Sequence, residues 1–202
     1  MVTRNCVNII SIYSKINMKV GIFNYMKRTG IQLEKSIKEL GFDIDLYDYK
    51  ENHYEIMRKS NIKYWIFTGS PMDVNLDGAP QIDTRILNMK DKRIFLICYS
   101  MESVLGQLGC RLVKRERNRK KITFLDILYN NYLTRGINSP LRSWRNHETY
   151  VTVSSLKPNI RMQMQYDGEV MTCLYKNAVM TQWHPEHTED GRQLFLNWFN
   201  NT

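Results

Sequence analysis

Arg93-Ile94-Phe95-Leu96-Ile97-Cys98-Tyr99-Ser100-Met101-Glu102-Ser103-Val104-Leu105-Gly106 is the stretch whose reading decides the fold. Ile94 to Ile97 form an apolar run too short for a helix, with no polar residue alternating. That is the pattern of a strand buried on both faces of a parallel sheet. Helical period follows, with Met101, Val104, Leu105 and Leu108 on one side and Gly109 as a C-terminal stop. Cys98 stands on the junction. A sharp strand-to-helix turn lifts its junction residue above the sheet edge, over the positive end of the helix. A thiolate nucleophile needs that setting, because positive potential lowers the pKa of a thiol. Taken alone, Cys98 also reads as a small buried hydrophobe closing a core strand.

Upstream, Met18-Lys19-Val20-Gly21-Ile22-Phe23 reads as the opening core strand, and residues 1–17 as a loose N-terminal extension. A helix is expected over 31–40, stopped by Gly41, then a strand over 42–47, a weaker helix over 51–59 and an apolar strand over 62–67. That strand ends in Thr68-Gly69-Ser70-Pro71, and a further helix is expected over 81–89. The alternation of strands and helices implies an α/β fold, a three-layer, doubly wound, mostly parallel sheet flanked by helices. Ligands bind beyond the carboxyl ends of such strands, where Gly69 and Cys98 both fall.

Downstream of Gly109 the elements shorten. Strands are expected over 141–144, 149–153, 162–166, 170–175 and 178–183, with Asp167-Gly168 and Lys176-Asn177 as hairpin turns, giving a smaller antiparallel hairpin region. A closing helix is expected over 190–199, and the basic run over 114–121 reads as a solvated hairpin or loop. The expected organisation is thus one domain over 18–202 behind the 1–17 extension.

The length of 202 residues suits one domain with a proper core. A net charge of +9 raises the question of nucleic acid, but no groove-reading motif accompanies the dispersed Lys and Arg, so nucleic acid is not the expected partner. The four cysteines show no CxxC spacing, so neither a zinc site nor a disulfide framework is indicated. The 1–17 stretch has no small-residue cleavage site and no apolar run is of membrane-spanning length. A reducing, cytoplasmic setting is expected, with no membrane partner and no cofactor.

Gln182-Trp183-His184-Pro185-Glu186 is the second informative stretch. In extended chain, residues two apart point to one side, so His184 and Glu186 can face one site. Pro185 holds His184 extended. A histidine acting as general base needs a group to hold its tautomer and stabilise the imidazolium, and Glu186 suits. The bland alternative is a strand exit with a solvated carboxylate. The third part is the glycine turn at Gly69 and Ser70, whose N–H groups can form half an oxyanion hole; the N–H of Tyr99 would be the other donor.

Together these segments resemble the class I glutamine amidotransferases. The resemblance runs from Met18 to Phe199 and looks closest to the glutaminase domains and subunits of guanosine monophosphate synthetases, with Asp77-Gly78-Ala79-Pro80, Trp144-Arg145-Asn146-His147 and Thr188-Glu189-Asp190-Gly191 in support. It implies a Cys-His-Glu triad of Cys98, His184 and Glu186, and transfer of ammonia from glutamine, through a thioester, to a synthetase domain or partner. It also implies that Glu102, Asn146 and His147 bind the substrate. The chain departs from the family pattern at Leu96 and Ser100, where glycines are usual, at Glu102, where glutamine is common, at Ser70, and at Asn146-His147-Glu148. With no synthetase domain read in these residues, a separate ATP-dependent synthetase subunit is the expected partner. Hydrolysis of another γ-glutamyl compound, and a degenerate binding or regulatory protein of the same fold, remain open.

Overall fold

The structure, a computed structural model, describes residues 18–26, 30–115 and 121–201. The extension expected over 1–17, and positions 116–120 of the basic run, lie outside the described residues. In chain order the elements are β1 (Lys19–Asn24), α1 (Gly30–Glu39), β2 (Asp43–Asp48), α2 (His53–Lys59), β3 (Tyr64–Phe67), β4 (Arg93–Ile97) and α3 (Tyr99–Gln107). Then follow β5 (Leu112–Lys114), β6 (Lys121–Ile127), β7 (Leu141–Arg145), β8 (Thr149–Val151), β9 (Arg161–Tyr166), β10 (Glu169–Tyr175), β11 (Ala178–Thr181) and α4 (Glu189–Asn200).

The central sheet has nine strands in the order β2-β1-β3-β4-β11-β10-β9-β6-β7. From β2 to β11 neighbouring strands run parallel. From β11 onward they run antiparallel, so the hairpin region continues the same sheet rather than standing apart. Only β5 and β8 form a separate antiparallel pair.

The strand pleat sorts the core into two layers. Phe95 and Ile97 of β4, Tyr64 and Ile66 of β3 and Val20 and Ile22 of β1 pack with Leu33 and Ile37 of α1 and with Leu194, Phe195, Trp198 and Phe199 of α4. Their neighbours Ile94, Leu96, Trp65, Phe67 and Phe23 pack on the opposite face with Met57 of α2 and Met101, Val104 and Leu105 of α3. The uninterrupted apolar strands thus cover two cores at once. Leu96 is one of these buried residues, seated in the layer under α3. Gly109 ends the α3 region at φ +81°, the left-handed conformation a glycine adopts at least cost.

The helix expected over 81–89 is reduced to one 3₁₀ segment, Thr84–Asn88. Asp83 is its N-cap, the carboxylate accepting from Arg85 N at 3.0 Å, so the helical chain begins only at Thr84, while Ile82 N upstream donates to Ser103 Oγ at 3.2 Å. The weaker helix starts at His53 because Asn52 caps it, accepting from Glu55 N at 3.1 Å. β6 was not expected at all. At the described ends of the basic run, Lys114 is exposed and pairs with Asp73 at 2.7 Å, while Arg115 is half-buried and pairs with the buried Glu169.

Candidate active site

The carboxyl ends of β3, β4 and β11 meet at Cys98. Its φ of 52° and ψ of −113° are costly for a residue with a Cβ, and neighbouring contacts hold them. Cys98 N donates to Thr181 O at 2.7 Å, and the Ser100 hydroxyl donates to Thr68 O at 2.5 Å, tying the elbow to the end of β3. Ser100 thereby gains a buried partner. Gly69 lies between Cys98 and His184: a Cβ there would sit 3.2 Å from Cys98 Cβ and 3.1 Å from His184 Cε1. Among the described residues the N–H groups of Gly69 and Ser70 donate to no acceptor, while the N–H of Tyr99 lies against the Cys98 sulfur. The Tyr99 ring points away, its hydroxyl donating to Pro80 O at 2.7 Å, so only its backbone serves the site.

His184 Nδ1 donates to Glu186 Oε1 at 2.9 Å, with both side chains buried. His184 N is fixed by Trp144 O at 2.8 Å. The carbonyl of Glu186 accepts from Ser36 Oγ at 3.1 Å and Gln32 Nε2 at 3.3 Å, so α1 clamps the carboxylate's backbone. Burial works against the imidazolium, but Glu186 and the Cys98 sulfur outweigh it and hold the His184 pKa well above its usual value. Burial likewise opposes the Glu186 carboxylate, and His184 overrides it, keeping that pKa low. The Cys98 thiol is pushed up, by burial first and then by the Glu102 carboxylate when charged. A base with its proton on Nδ1 held by a carboxylate, beside a thiol at a strained elbow, can run acyl transfer.

A cavity of about 350 Å³ opens over these groups, lined by Cys98, His184, Glu102, Ser70, Asn146 and His147 among others. Asn146 offers its carbonyl, 4.0 Å from the Cys98 sulfur. Glu102 is 4 % exposed, and its Oε1 accepts from Gln182 Nε2 at 2.6 Å. Burial, helped by Asp73, pushes its pKa to about 8 despite the opposing Gln182 and His184. At neutral pH Glu102 therefore carries a proton and is no carboxylate, which removes the charge repulsion its identity suggests.

Sequence reasoning missed Gln182 as a site residue. It bridges Glu102 and, at 3.8 Å, the Cys98 sulfur. The extended run expected through His184 and Glu186 is not what joins them: β11 ends at Thr181, and the 3₁₀ turn Pro185–His187 brings Glu186 back to His184. Also missed was the buried cluster behind the cavity. His147 Nε2 lies 3.0 Å from Glu169 Oε2, and Arg145 Nη1 lies 3.5 Å from the same carboxylate oxygen. Burial first, then Arg145 and Arg115, push the His147 pKa down to about 3. His147 is thus neutral, donating from Nε2 and presenting Nδ1 as an acceptor. Of the two remaining histidines, His53 lies away from this cavity, bonded to Tyr25 Oη at 3.1 Å and Tyr49 O at 3.0 Å.

The family model for class-I glutamine amidotransferases matches residues 23–201. The GMP synthase [glutamine-hydrolyzing] of Petrotoga mobilis is 28% identical over 190 residues, covering 89% of this chain and 35% of the relative. That of Wigglesworthia glossinidia brevipalpis is 31% identical over 183 residues, covering 82% of this chain and 33% of the relative. The chain therefore spans about a third of the length of these curated relatives. Among solved structures, a Thermoplasma acidophilum protein assigned as a GMP synthase subunit shares the fold with a TM-score of 0.69 at 18% identity, covering 90% of this chain and 92% of that one. PurLQS from Thermotoga maritima gives a TM-score of 0.72 at 16% identity, covering 91% and 98%. The expected three-layer α/β architecture agrees with both, and with a family match across nearly the whole described chain, this protein belongs to the class-I glutamine amidotransferases.

Proposed function

We propose that the chain is a glutaminase that hydrolyses the side-chain amide of glutamine through a thioester on Cys98 and passes the ammonia to a separate ATP-dependent synthetase partner. The carrying observation is the 2.9 Å bond from His184 Nδ1 to Glu186 Oε1 beside the Cys98 elbow. In this reading Cys98 gives its proton to His184 Nε2, where Glu186 and the sulfur hold it, and the thiolate attacks the amide carbon. The developing oxyanion is met by N–H groups of Tyr99, Gly69 and Ser70. His184 returns the proton to the leaving nitrogen, ammonia departs, and Cys98 holds the acyl group as a thioester. Water then attacks that carbon, His184 takes its proton and gives it to the sulfur, and glutamate leaves.

Protonated Glu102 supports glutamine as the substrate, since a neutral carboxyl is close in shape to the amide common in the family and does not repel an α-carboxylate. Asn146 and His147 would hold the other end of the substrate, His147 Nδ1 accepting from its ammonium. A second reading rests on Asp73 and Glu148, two acidic groups in the cavity lining: a γ-glutamyl compound with a free amino group and a blocked α-carboxylate. A diazo-ketone analogue of glutamine should label Cys98, and free glutamine should release ammonia. Labelling absent in folded protein would defeat the first reading, and absence of labelling by the C-terminally blocked form of the analogue as well would defeat both. Ammonia from a C-terminally blocked substrate, with none from free glutamine, would select the second.

A further inference from the structure

Beside the proposed triad lies a fourth side chain that takes no part in it. The chain turns through one 3₁₀ segment, Pro185–His187, with His187 N donating to His184 O at 3.3 Å. The turn brings the His187 ring to within 5.9 Å of the His184 ring, centroid to centroid, at an angle of 57°. His184, Glu186 and His187 each offer a ligand atom, and the three atoms lie within 4.8 Å of one another. A lone pair is also unused on the Glu186 side: Glu186 Oε2 is buried with no hydrogen bond among the described residues, and His184 turns Nδ1 toward that carboxylate. His187 is the exposed member, resting against Trp144 with ring centroids 5.8 Å apart, so a cation has an approach from solvent.

We infer that His184, Glu186 and His187 form a site for a borderline transition-metal cation of the Zn²⁺ class, which on binding closes the triad. Two imidazoles and one carboxylate match the donor preference of Zn²⁺, whereas Mg²⁺ and Ca²⁺ favour oxygen alone. Bonds of about 2.0–2.2 Å ask the His184 Nδ1–Glu186 Oε1 pair, now 2.9 Å apart, to open slightly to admit the cation, and the exposed His187 can swing in to complete the set. The fourth position would go to water. No redox change is involved: the cation takes the place of the Nδ1 proton, which leaves the imidazole's remaining proton on Nε2, so His184 can no longer accept one from Cys98. The inhibitory consequence rests on the proposed function. The site itself does not.

The test is a Zn²⁺ titration of the tag-free full chain by calorimetry, repeated with Co²⁺ to read coordination from its visible absorption. One equivalent should bind with tetrahedral Co²⁺ colour, and Mg²⁺ should not compete. His187→Ala should weaken Zn²⁺ binding by at least about tenfold, since even an outer partner of a metal site is worth that much. His187→Asp, which keeps a ligand, should recover most of the affinity. Glutamine turnover by His187→Ala without metal should stay near that of the parent, while the Zn²⁺ concentration for half-inhibition rises by the same factor as the binding constant. Unchanged Zn²⁺ affinity in folded His187→Ala, or no binding by the parent, would overturn the inference. Binding is read independently of turnover, so a protein that holds Zn²⁺ yet hydrolyses nothing refutes the proposed function and leaves the metal site standing.

Discussion

Replacing Glu102 by Gln tests the electrostatics of the cavity most directly. The two side chains have the same shape, and the amide oxygen of the variant could accept the bond Gln182 now gives to Glu102. Only the ionisable proton is lost. The folded protein holds that proton to about pH 8, whereas the unfolded chain releases it near 4.5. Between those values the unfolded state binds fewer protons, so raising the pH favours unfolding. The stabilisation held by the protonated form is complete below pH 4.5 and is lost progressively up to about pH 8. At pH 7 that loss comes to about 3 kcal/mol, at roughly 1.4 kcal/mol per pH unit. For a chain of this size it corresponds to a Tm difference of roughly 6–12 °C. Thermal unfolding of parent and Glu102→Gln should therefore nearly coincide at pH 5, with the variant pulling ahead as the pH rises. Alkylation of Cys98 above pH 8 should also be faster in the variant, because no second anion forms beside the thiol. The kcat/KM for glutamine should change little at pH 7 and rise in the variant above pH 8, where Glu102 would otherwise ionise. Parallel Tm curves across pH 5–8 would refute the assignment of a proton to Glu102.

The other histidines and the elbow give sharper separations. His184→Ala should abolish ammonia release, whereas His53→Ala should leave turnover of the surviving folded enzyme within a few-fold; an equal loss from both would move the base elsewhere. Gly69→Ala forces a methyl to within 3.2 Å of Cys98 and 3.1 Å of His184, so turnover should fall well beyond any shift in Tm, and a fully active variant would count against the close approach. Arg145→Met removes one cation from the buried Glu169 and should destabilise the fold by about 3–5 kcal/mol, measured by urea unfolding. A loss below about 1 kcal/mol there would mean that Arg115 and His147 suffice for Glu169.

Legibility in the sequence followed burial. Strands covered on both faces, such as Ile94 to Ile97, showed as unbroken apolar runs, and the helices against them showed their period. β6 hid because apolar residues fall on both its faces: Ile122 and Phe124 point outward while Thr123 and Leu125 point in. Its outer face is wet, so no pattern of burial marks it. Within the site, His184 and Glu186 were legible because a local, two-residue spacing brings them together. The union of Arg115, Arg145, His147 and Glu169 spans β5 to β10 and depends on strand pairing that no local spacing encodes. The protonation of Glu102 was equally hidden, since identity alone implies a charge and only its enclosure removes it.

Trp183 sits between Gln182 and His184 with its side chain fully buried, Nε1 donating to Thr172 Oγ1 at 3.0 Å. One short segment therefore serves as core on one side and as the proposed reaction centre on the other. His184 has no hinge of its own: loosening the tryptophan on heating displaces the imidazole in the same event. Tryptophan emission and enzymatic half-life should trace one transition, and substitutions that soften the sheet at this point should be felt as lost turnover before the chain unfolds.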